Sequence, residues 1–266
     1  MPSPADIPVF VLCGGLGTRL REQTDIRPKP MVEVGGRPIV WHIMRTYAHF
    51  GFRRFVLCLG YRSEVVKRYF LEYSMLNSDF SIELKGRSDK IEIHSTDHED
   101  DWKVTLADTG ERTMTGGRIA RAAARYLGDA QTFAVTYGDG VTDVDLRQEL
   151  EFHRGHGTIG TVLGINPPSR FGELVLDGDR VSSFEEKPDL ARSWVNGGYF
   201  FFERSFLDYL DADESCILER DPLKRLAADG KLRMFRHPGY WACMDTQRDY
   251  EHLNQLWSEG QAPWRR

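Results

Sequence analysis

Short unbroken apolar runs, separated by helix-length segments of mixed polarity, dominate the first half of this chain. Val9-Phe10-Val11-Leu12-Cys13 reads as a strand buried on both faces of a parallel sheet, because a strand with one wet face alternates instead. Gly35-Gly36-Arg37-Pro38 is a turn, and Pro38 can open a helix from about Ile39 to Phe50, since a first-turn proline gives up no helical hydrogen bond. Phe55 to Leu59 is a second buried strand, followed by Gly60 and a helix from about Ser63 to Leu76. Three β-like stretches, Phe80 to Leu84, Lys90 to His94 and Trp102 to Ala107, are joined by polar turns and predict a hairpin-type insertion. Gly117 to Tyr126 reads as helix, and Thr132 to Tyr137 as a central strand that ends at Gly138-Asp139-Gly140. Beyond Gly157 strands become more frequent: Thr158 to Gly164, Glu173 to Leu176, Val181 to Glu185, Gly198 to Phe202 and Leu232 to Arg236. Helices are expected at about Ser205–Leu210, Asp221–Asp229 and Thr246–Ser258. The alternation at the front predicts an α/β core with a mostly parallel sheet, and the later strands suggest a half that takes a second ligand.

No repeat, low-complexity tract or linker interrupts the 266 residues, so the expectation is a single domain over 1–266. Hydrophobic residues at 41% and charged residues at 28% exclude a disordered or collagen-like chain. With 35 basic against 40 acidic side chains the net charge is −5, which removes the global footprint expected of a nucleic-acid partner. No apolar run approaches the roughly 18 residues of a membrane span. Met1 to Asp6 lacks the basic-then-apolar order of a signal peptide, and Cys13, Cys58, Cys216 and Cys243 lie far apart without a C-x-x-C. A reduced, cytoplasmic globular protein is expected.

Candidate chemistry begins where the first strand ends, at Gly14-Gly15-Leu16-Gly17-Thr18-Arg19. Glycines let backbone N–H groups close around phosphate oxygens, and Arg19 adds a planar cationic fork. There is no G-K-[ST], so this is not a Walker A loop, and G-G-x-G is not the G-x-G-x-x-G of dinucleotide binders. Taken alone, the cluster fits a plain tight turn equally well. Lys29, within Arg27-Pro28-Lys29-Pro30-Met31, is held on a stiff segment by its flanking prolines. By itself it reads either as an electrostatic clamp or as a surface lysine in a proline turn.

Together with Gly138-Asp139-Gly140, Glu186-Lys187-Pro188 and Asn196-Gly197-Gly198, these motifs resemble the sugar-1-phosphate nucleotidylyltransferases. Lys29 to Gly36, Trp41-His42-Ile43-Met44, Asp108-Thr109-Gly110, Met114 to Arg118, Arg170-Phe171-Gly172, Met244-Asp245-Thr246 and Ala262-Pro263-Trp264 narrow the likeness to the branch acting on CTP and glucose 1-phosphate. The resemblance runs from about residue 9 to 264 and implies a Rossmann-like nucleotidyltransferase fold with a smaller β-rich sugar-binding portion. It divides the chain into a nucleotide-binding half, about 8–145, and a sugar-phosphate-binding half, about 146–266.

The resemblance implies that an oxygen of the sugar phosphate attacks the α-phosphorus of the nucleotide, with Mg²⁺ as cofactor. Arg19 and Lys29 would neutralise the triphosphate and Lys187 would hold the attacking phosphate. Leu12, Gly14, Gly15, Leu16, Gly17, Thr18 and Gly138 would wrap the nucleotide, with Thr113, Gly116 and Arg118 around its base and triphosphate. Glu186, Asn196 and Gly172 would meet the sugar, and Asp139 and Asp245 would hold the metal. On spacing alone Asp245 or Thr246 could instead cap the helix that follows. The likeness also implies a homo-oligomer.

Other features are read as structural. His94, His98 and the carboxylates Asp97, Glu99, Asp100 and Asp101 lie in a polar loop without metal-ligand spacing. Cys13 is a packing residue and Tyr199 to Phe202 fill a strand, while Trp241 and Trp264 fit either a core or a subunit contact. Asp143-Val144-Asp145 has the D-x-D spacing of glycosyltransferases, but a cap and first-turn carboxylate explain it. A regulatory relative without turnover should have lost one of Arg19, Lys29, Asp139, Lys187 or Asp245, and all five are present.

Overall fold

The structure, a computed structural model, describes residues 2–15, 17, 20–84, 90–94, 101–166, 173–177, 179–185 and 194–266, without the side chains of 21, 22, 173–177 and 183–185. Its central sheet has seven strands: β1 (Pro8–Cys13), β2 (Arg54–Leu59), β3 (Lys103–Asp108), β4 (Thr132–Tyr137), β5 (Gly160–Ile165), β6 (Val195–Glu203) and β7 (Leu232–His237). They lie in the order β7-β5-β6-β4-β1-β2-β3. Only β6 runs against its neighbours β4 and β5, and the other adjacent pairs are parallel. This is the mostly parallel mixed sheet that the apolar runs predict.

Helices α1 (Ile39–His49), α2 (Ser63–Leu71), α3 (Thr115–Tyr126), α4 (Leu146–His156), α5 (Asp221–Ala228) and α6 (Gln247–Ser258) surround it. β1 shows why its run has no polar position. Val9, Val11 and Cys13 join one core with Ile43 and Tyr47 of α1 and Leu150 of α4. Phe10 and Leu12 join a second core with Ile119 and Ala122 of α3. From β1 the chain winds outward through α1 to β2 and β3, then returns through α3 to place β4 on the other side of β1. The winding reverses between β1 and β4, and such a switch point opens a crevice at the carboxyl ends of the two strands.

Several expected elements take a different form. Phe80–Glu83 and Lys90–Ile93 do pair as an antiparallel hairpin, but the third stretch is β3, the sheet edge beside β2. Trp102 just before it and its own Val104 and Leu106 pack on the main core, which draws the segment out of the insertion. The helix expected over 63–76 stops at Leu71, and a separate turn of helix spans Tyr73–Leu76. Arg204–Tyr209 is a 3₁₀ helix, and Glu173–Asp177 pairs with Arg180–Glu185 away from the central sheet. The loop carboxylates Asp97, Glu99 and Asp100, with His98, lie outside the described residues.

The Asp143-Val144-Asp145 stretch is structural. The Asp145 carboxylate accepts hydrogen bonds from the N–H groups of Arg147 and Gln148 at the start of α4. Asp143 accepts from the Tyr240 N–H at 2.7 Å and pairs with the His237 ring. Trp264 is core, and no described helix is long and apolar enough to cross a membrane.

Glu149 of α4 is fully buried, and neither carboxylate oxygen meets a hydrogen-bond partner among the described residues. Burial pushes its pKa up to about 8 from the 4.5 usual for a glutamate. Between those values the folded chain holds a proton that the unfolded chain has released, so stability falls as pH rises across that window. We expect urea unfolding at pH 6 and pH 8 to show this loss. Glu149→Gln should flatten the slope by roughly 1 kcal/mol per pH unit, and a slope equal to that of the wild type would contradict the assignment.

Candidate active site

The crevice at the β1/β4 switch point holds a cavity of about 500 Å³. Its floor needs glycine. A Cβ on Gly138 would lie 2.6 Å from the Leu12 carbonyl oxygen, and one on Gly14 would overlap the Arg118 guanidinium. Gly17 sits at φ +62°, where side chains are strained. Of the residues expected from sequence, Leu12, Gly14, Gly15, Gly17, Lys29, Thr113, Arg118, Gly138, Asp139, Asn196 and Asp245 all line the cavity. Gly116 does not. A Cβ there would meet the Cys216 sulfur at 2.6 Å, so this glycine serves helix packing instead. Leu16, Thr18, Arg19, Gly172, Glu186 and Lys187 lie outside the described residues.

Lys29 is the meeting point of three distant segments. It opens a 3₁₀ turn, Lys29–Met31, between Pro28 and Pro30. Its Nζ donates to Asp139 Oδ2 at 2.5 Å and to Asp245 Oδ1 at 2.6 Å. Burial works against the ammonium, but the Asp139 charge and the two carboxylate hydrogen bonds outweigh it and raise the lysine pKa, so Lys29 stays charged. Thr246, not Asp245, caps α6: its side chain accepts from the Asp249 N–H while the Asp249 carboxylate accepts from Thr246 N and Asp245 N. The Asp245 carboxylate is thereby aimed into the crevice.

Ligand atoms of Asp139, Asp245 and Cys243 lie within 4.8 Å of one another. Burial, then the Asp139 charge, pushes the Cys243 thiol far above its usual range, so it stays protonated. The two carboxylates supply hard oxygen donors, which fit Mg²⁺. Cys13 is buried and its thiol is likewise pushed up, chiefly by burial, as a packing residue requires.

Arg118, at 4% exposure, borders the cavity, but its guanidinium is spent on backbone. Nη1 donates to the carbonyls of Leu59 at 2.9 Å and Gly110 at 2.7 Å and to Thr109 Oγ1. Nη2 donates to the carbonyls of Gly14 at 2.9 Å and Glu111 at 3.1 Å. The side chain therefore ties the glycine loop to the ends of β2 and β3. Thr113 Oγ1 accepts from Arg121 at 2.7 Å.

The sequence profile of the nucleotidyl transferase family matches residues 9–257. The chain belongs to that family. It is 45% identical to the glucose-1-phosphate cytidylyltransferase of Salmonella typhi over 96% of this chain and 97% of that one. It is 30% identical to mannose-1-phosphate guanylyltransferase 1 of Arabidopsis thaliana over 91% of this chain and 62% of that protein. In structure it is similar to HddC from Yersinia pseudotuberculosis complexed with GMP-PN, with a TM-score of 0.65, 23% identity and coverage of 94% and 99% of the two chains. That likeness shows a shared fold.

In this nucleotidyl transferase, sequence reasoning missed Tyr137, Thr115, Glu219, Trp241 and Cys243 among the cavity residues. Tyr137 stands next to Gly138-Asp139 and was legible as a strand-end neighbour. Trp241–Cys243 forms a three-residue strand paired with Gly140–Thr142, too short to show a periodicity. Trp241 faces the cavity and donates its indole N–H to the Gly197 carbonyl at 2.7 Å. Tyr199 is buried and donates its hydroxyl to the Gly140 carbonyl at 2.8 Å.

Replacing Arg118 tests whether its guanidinium ties these loops together. Arg118→Lys keeps the charge but offers one compact ammonium to carbonyls spread over several loops, leaving at least one buried acceptor without a donor. We expect a loss of about 2–4 kcal/mol in urea unfolding. A change within about 0.5 kcal/mol would be that of an ordinary surface position.

Proposed function

We propose that this nucleotidyl transferase moves a cytidylyl group from CTP to α-D-glucose 1-phosphate, giving CDP-glucose and pyrophosphate. The observation that carries the reading is 45% identity to the Salmonella typhi enzyme along nearly the full length of both chains. An oxygen of the sugar phosphate forms a bond to the α-phosphorus as the bond from that phosphorus to the bridging oxygen breaks. The electron pair leaves with pyrophosphate. A phosphate monoester with a second pKa near about 6 is already dianionic at neutral pH, so no base has to remove a proton. In keeping with this, no histidine lines the cavity among the described residues.

Such chemistry rests on positioning and charge neutralisation. Lys29, held charged, and Arg19 neutralise the triphosphate, and Lys187 fixes the attacking phosphate. Asn196, Glu186 and Gly172 meet the sugar. Asp139 and Asp245 would hold Mg²⁺, which when bound offsets phosphate charge. Trp241 and Tyr199 form part of the cavity wall.

The same proposal includes a homo-oligomer. The hairpin Phe80–Glu83/Lys90–Ile93 sets Phe80 against Ile93 and Ile82 against Ile91, so all four share one face at 40–45% exposure. Leu71, Leu76 and Leu84 extend the exposed apolar surface nearby in sequence. A second copy supplies a matching apolar face for such a surface. The four cysteines are unpaired, which fits a reducing cytoplasm.

The test is pyrophosphate release from glucose 1-phosphate, Mg²⁺ and each of CTP, UTP, dTTP, GTP and ATP, with light scattering on the same sample. We expect release with CTP alone and a mass that is a multiple of 30.6 kDa. Release with another nucleotide would overturn the base, silence with all five would overturn the reaction as written, and a monomer would overturn the assembly.

A further inference from the structure

Glu219 lines the cavity and pairs with no basic side chain among the described residues. Its two oxygens are instead fixed by hydroxyls from two elements, β4 and α3. Tyr137 donates to Oε1 at 2.5 Å and Thr115 to Oε2 at 2.8 Å. Each of those hydroxyls is oriented in turn: the Leu218 N–H donates to Thr115 Oγ1 at 2.9 Å, and the Asn196 side-chain amide donates to the Tyr137 hydroxyl at 3.2 Å. The network holds the carboxylate still. Each carboxylate oxygen has two lone-pair sites, so one acceptor position remains on each.

An anion on the wall of a phosphate-binding crevice is a constraint on what lies against it. Phosphate oxygens are repelled there, whereas groups that only need an acceptor are favoured. Lys29 lines the same cavity, so a ligand whose phosphates bond that ammonium is left with its hydroxyl-bearing parts to meet Glu219. On the function proposed above, both substrates carry vicinal hydroxyls on a sugar ring, and a carboxylate with two remaining acceptor positions matches such a pair. We propose that Glu219 is a specificity-determining residue that accepts hydrogen bonds from sugar-ring hydroxyls, from either the ribose of the nucleotide or the hexose of the sugar phosphate. A site built to hydrogen-bond a hydroxyl rejects the analogue lacking it, because its own polar group is left unpaired.

The two sources separate in one set of steady-state assays. Wild type and Glu219→Gln are compared on CTP against 2′-deoxy-CTP, and on glucose 1-phosphate against 2-deoxyglucose 1-phosphate, with thermal melts confirming that the variant folds. We expect wild type to prefer the hydroxylated member of one pair by at least tenfold in kcat/KM. Glu219→Gln should lose that preference by slowing on the hydroxylated substrate alone. Loss confined to the nucleotide pair assigns the ribose, and loss confined to the sugar pair assigns the hexose. An equal fall on all four substrates, or no change, overturns the inference and leaves Glu219 as a brace for Tyr137 and Thr115. Should Glu219→Gln fail to fold, Glu219→Asp withdraws the acceptor while keeping the charge and is read the same way. No wild-type turnover of CTP would instead bring down the proposed function, and this inference with it.

Discussion

Two carboxylates that face each other across a crevice repel unless a cation stands between them, and here that cation is Lys29. Asp139 lies 110 positions from Lys29 in the chain and Asp245 lies 216. Their convergence depends on the sheet: β4 delivers Asp139, the strand Trp241–Cys243 delivers Asp245, and the proline-flanked turn after β1 delivers the lysine. One ammonium balances only one of the two negative charges, so the centre keeps a residual attraction for cations. The same ammonium lines the cavity and is available to an incoming phosphate. The site is in this sense charged in advance of its substrates, and positioning can do most of the catalytic work.

The surrounding structure reads as the means of holding that centre open and exact in shape. Glycines at 14 and 138 bring backbone close enough to line the crevice without side chains, and Arg118 fixes the loop that Gly14 begins by binding five oxygens. Thr246 takes over the cap of α6 and so leaves the neighbouring carboxylate for the site. Glu219, held by the Tyr137 and Thr115 hydroxyls, adds a fixed acceptor to the same cavity. A cavity that offers both an ammonium and a fixed carboxylate suits a ligand that carries phosphates and hydroxyls.

Much of the fold was legible from burial alone. A strand covered on both faces must be apolar throughout, and β1, β2 and β4 announce themselves for that reason. β3 was misassigned because it is an edge strand, half-buried, with polar residues at both ends. The site was legible where a motif is local, as at Lys29 and Gly138-Asp139. Asp245 was ambiguous because a carboxylate before a helix is also a good cap, and only the tertiary structure shows that Thr246 has that task. Gly116 looked like part of a ligand loop although its constraint is the Cys216 sulfur. Glu219 left no signal, since its partners at 115 and 137 are 104 and 82 positions away.

The central claim is that Lys29, Asp139 and Asp245 form the reacting centre, with Lys29 leaving the carboxylates for a phosphate when the crevice fills. A crystal structure with Mg²⁺ and a non-hydrolysable CTP analogue reads this directly. The account predicts the triphosphate over the glycine loop, Lys29 Nζ bonded to a phosphate oxygen, and both carboxylates turned toward one ion. A nucleotide bound elsewhere, or Lys29 still bridging Asp139 and Asp245 with the phosphates out of reach, would contradict it.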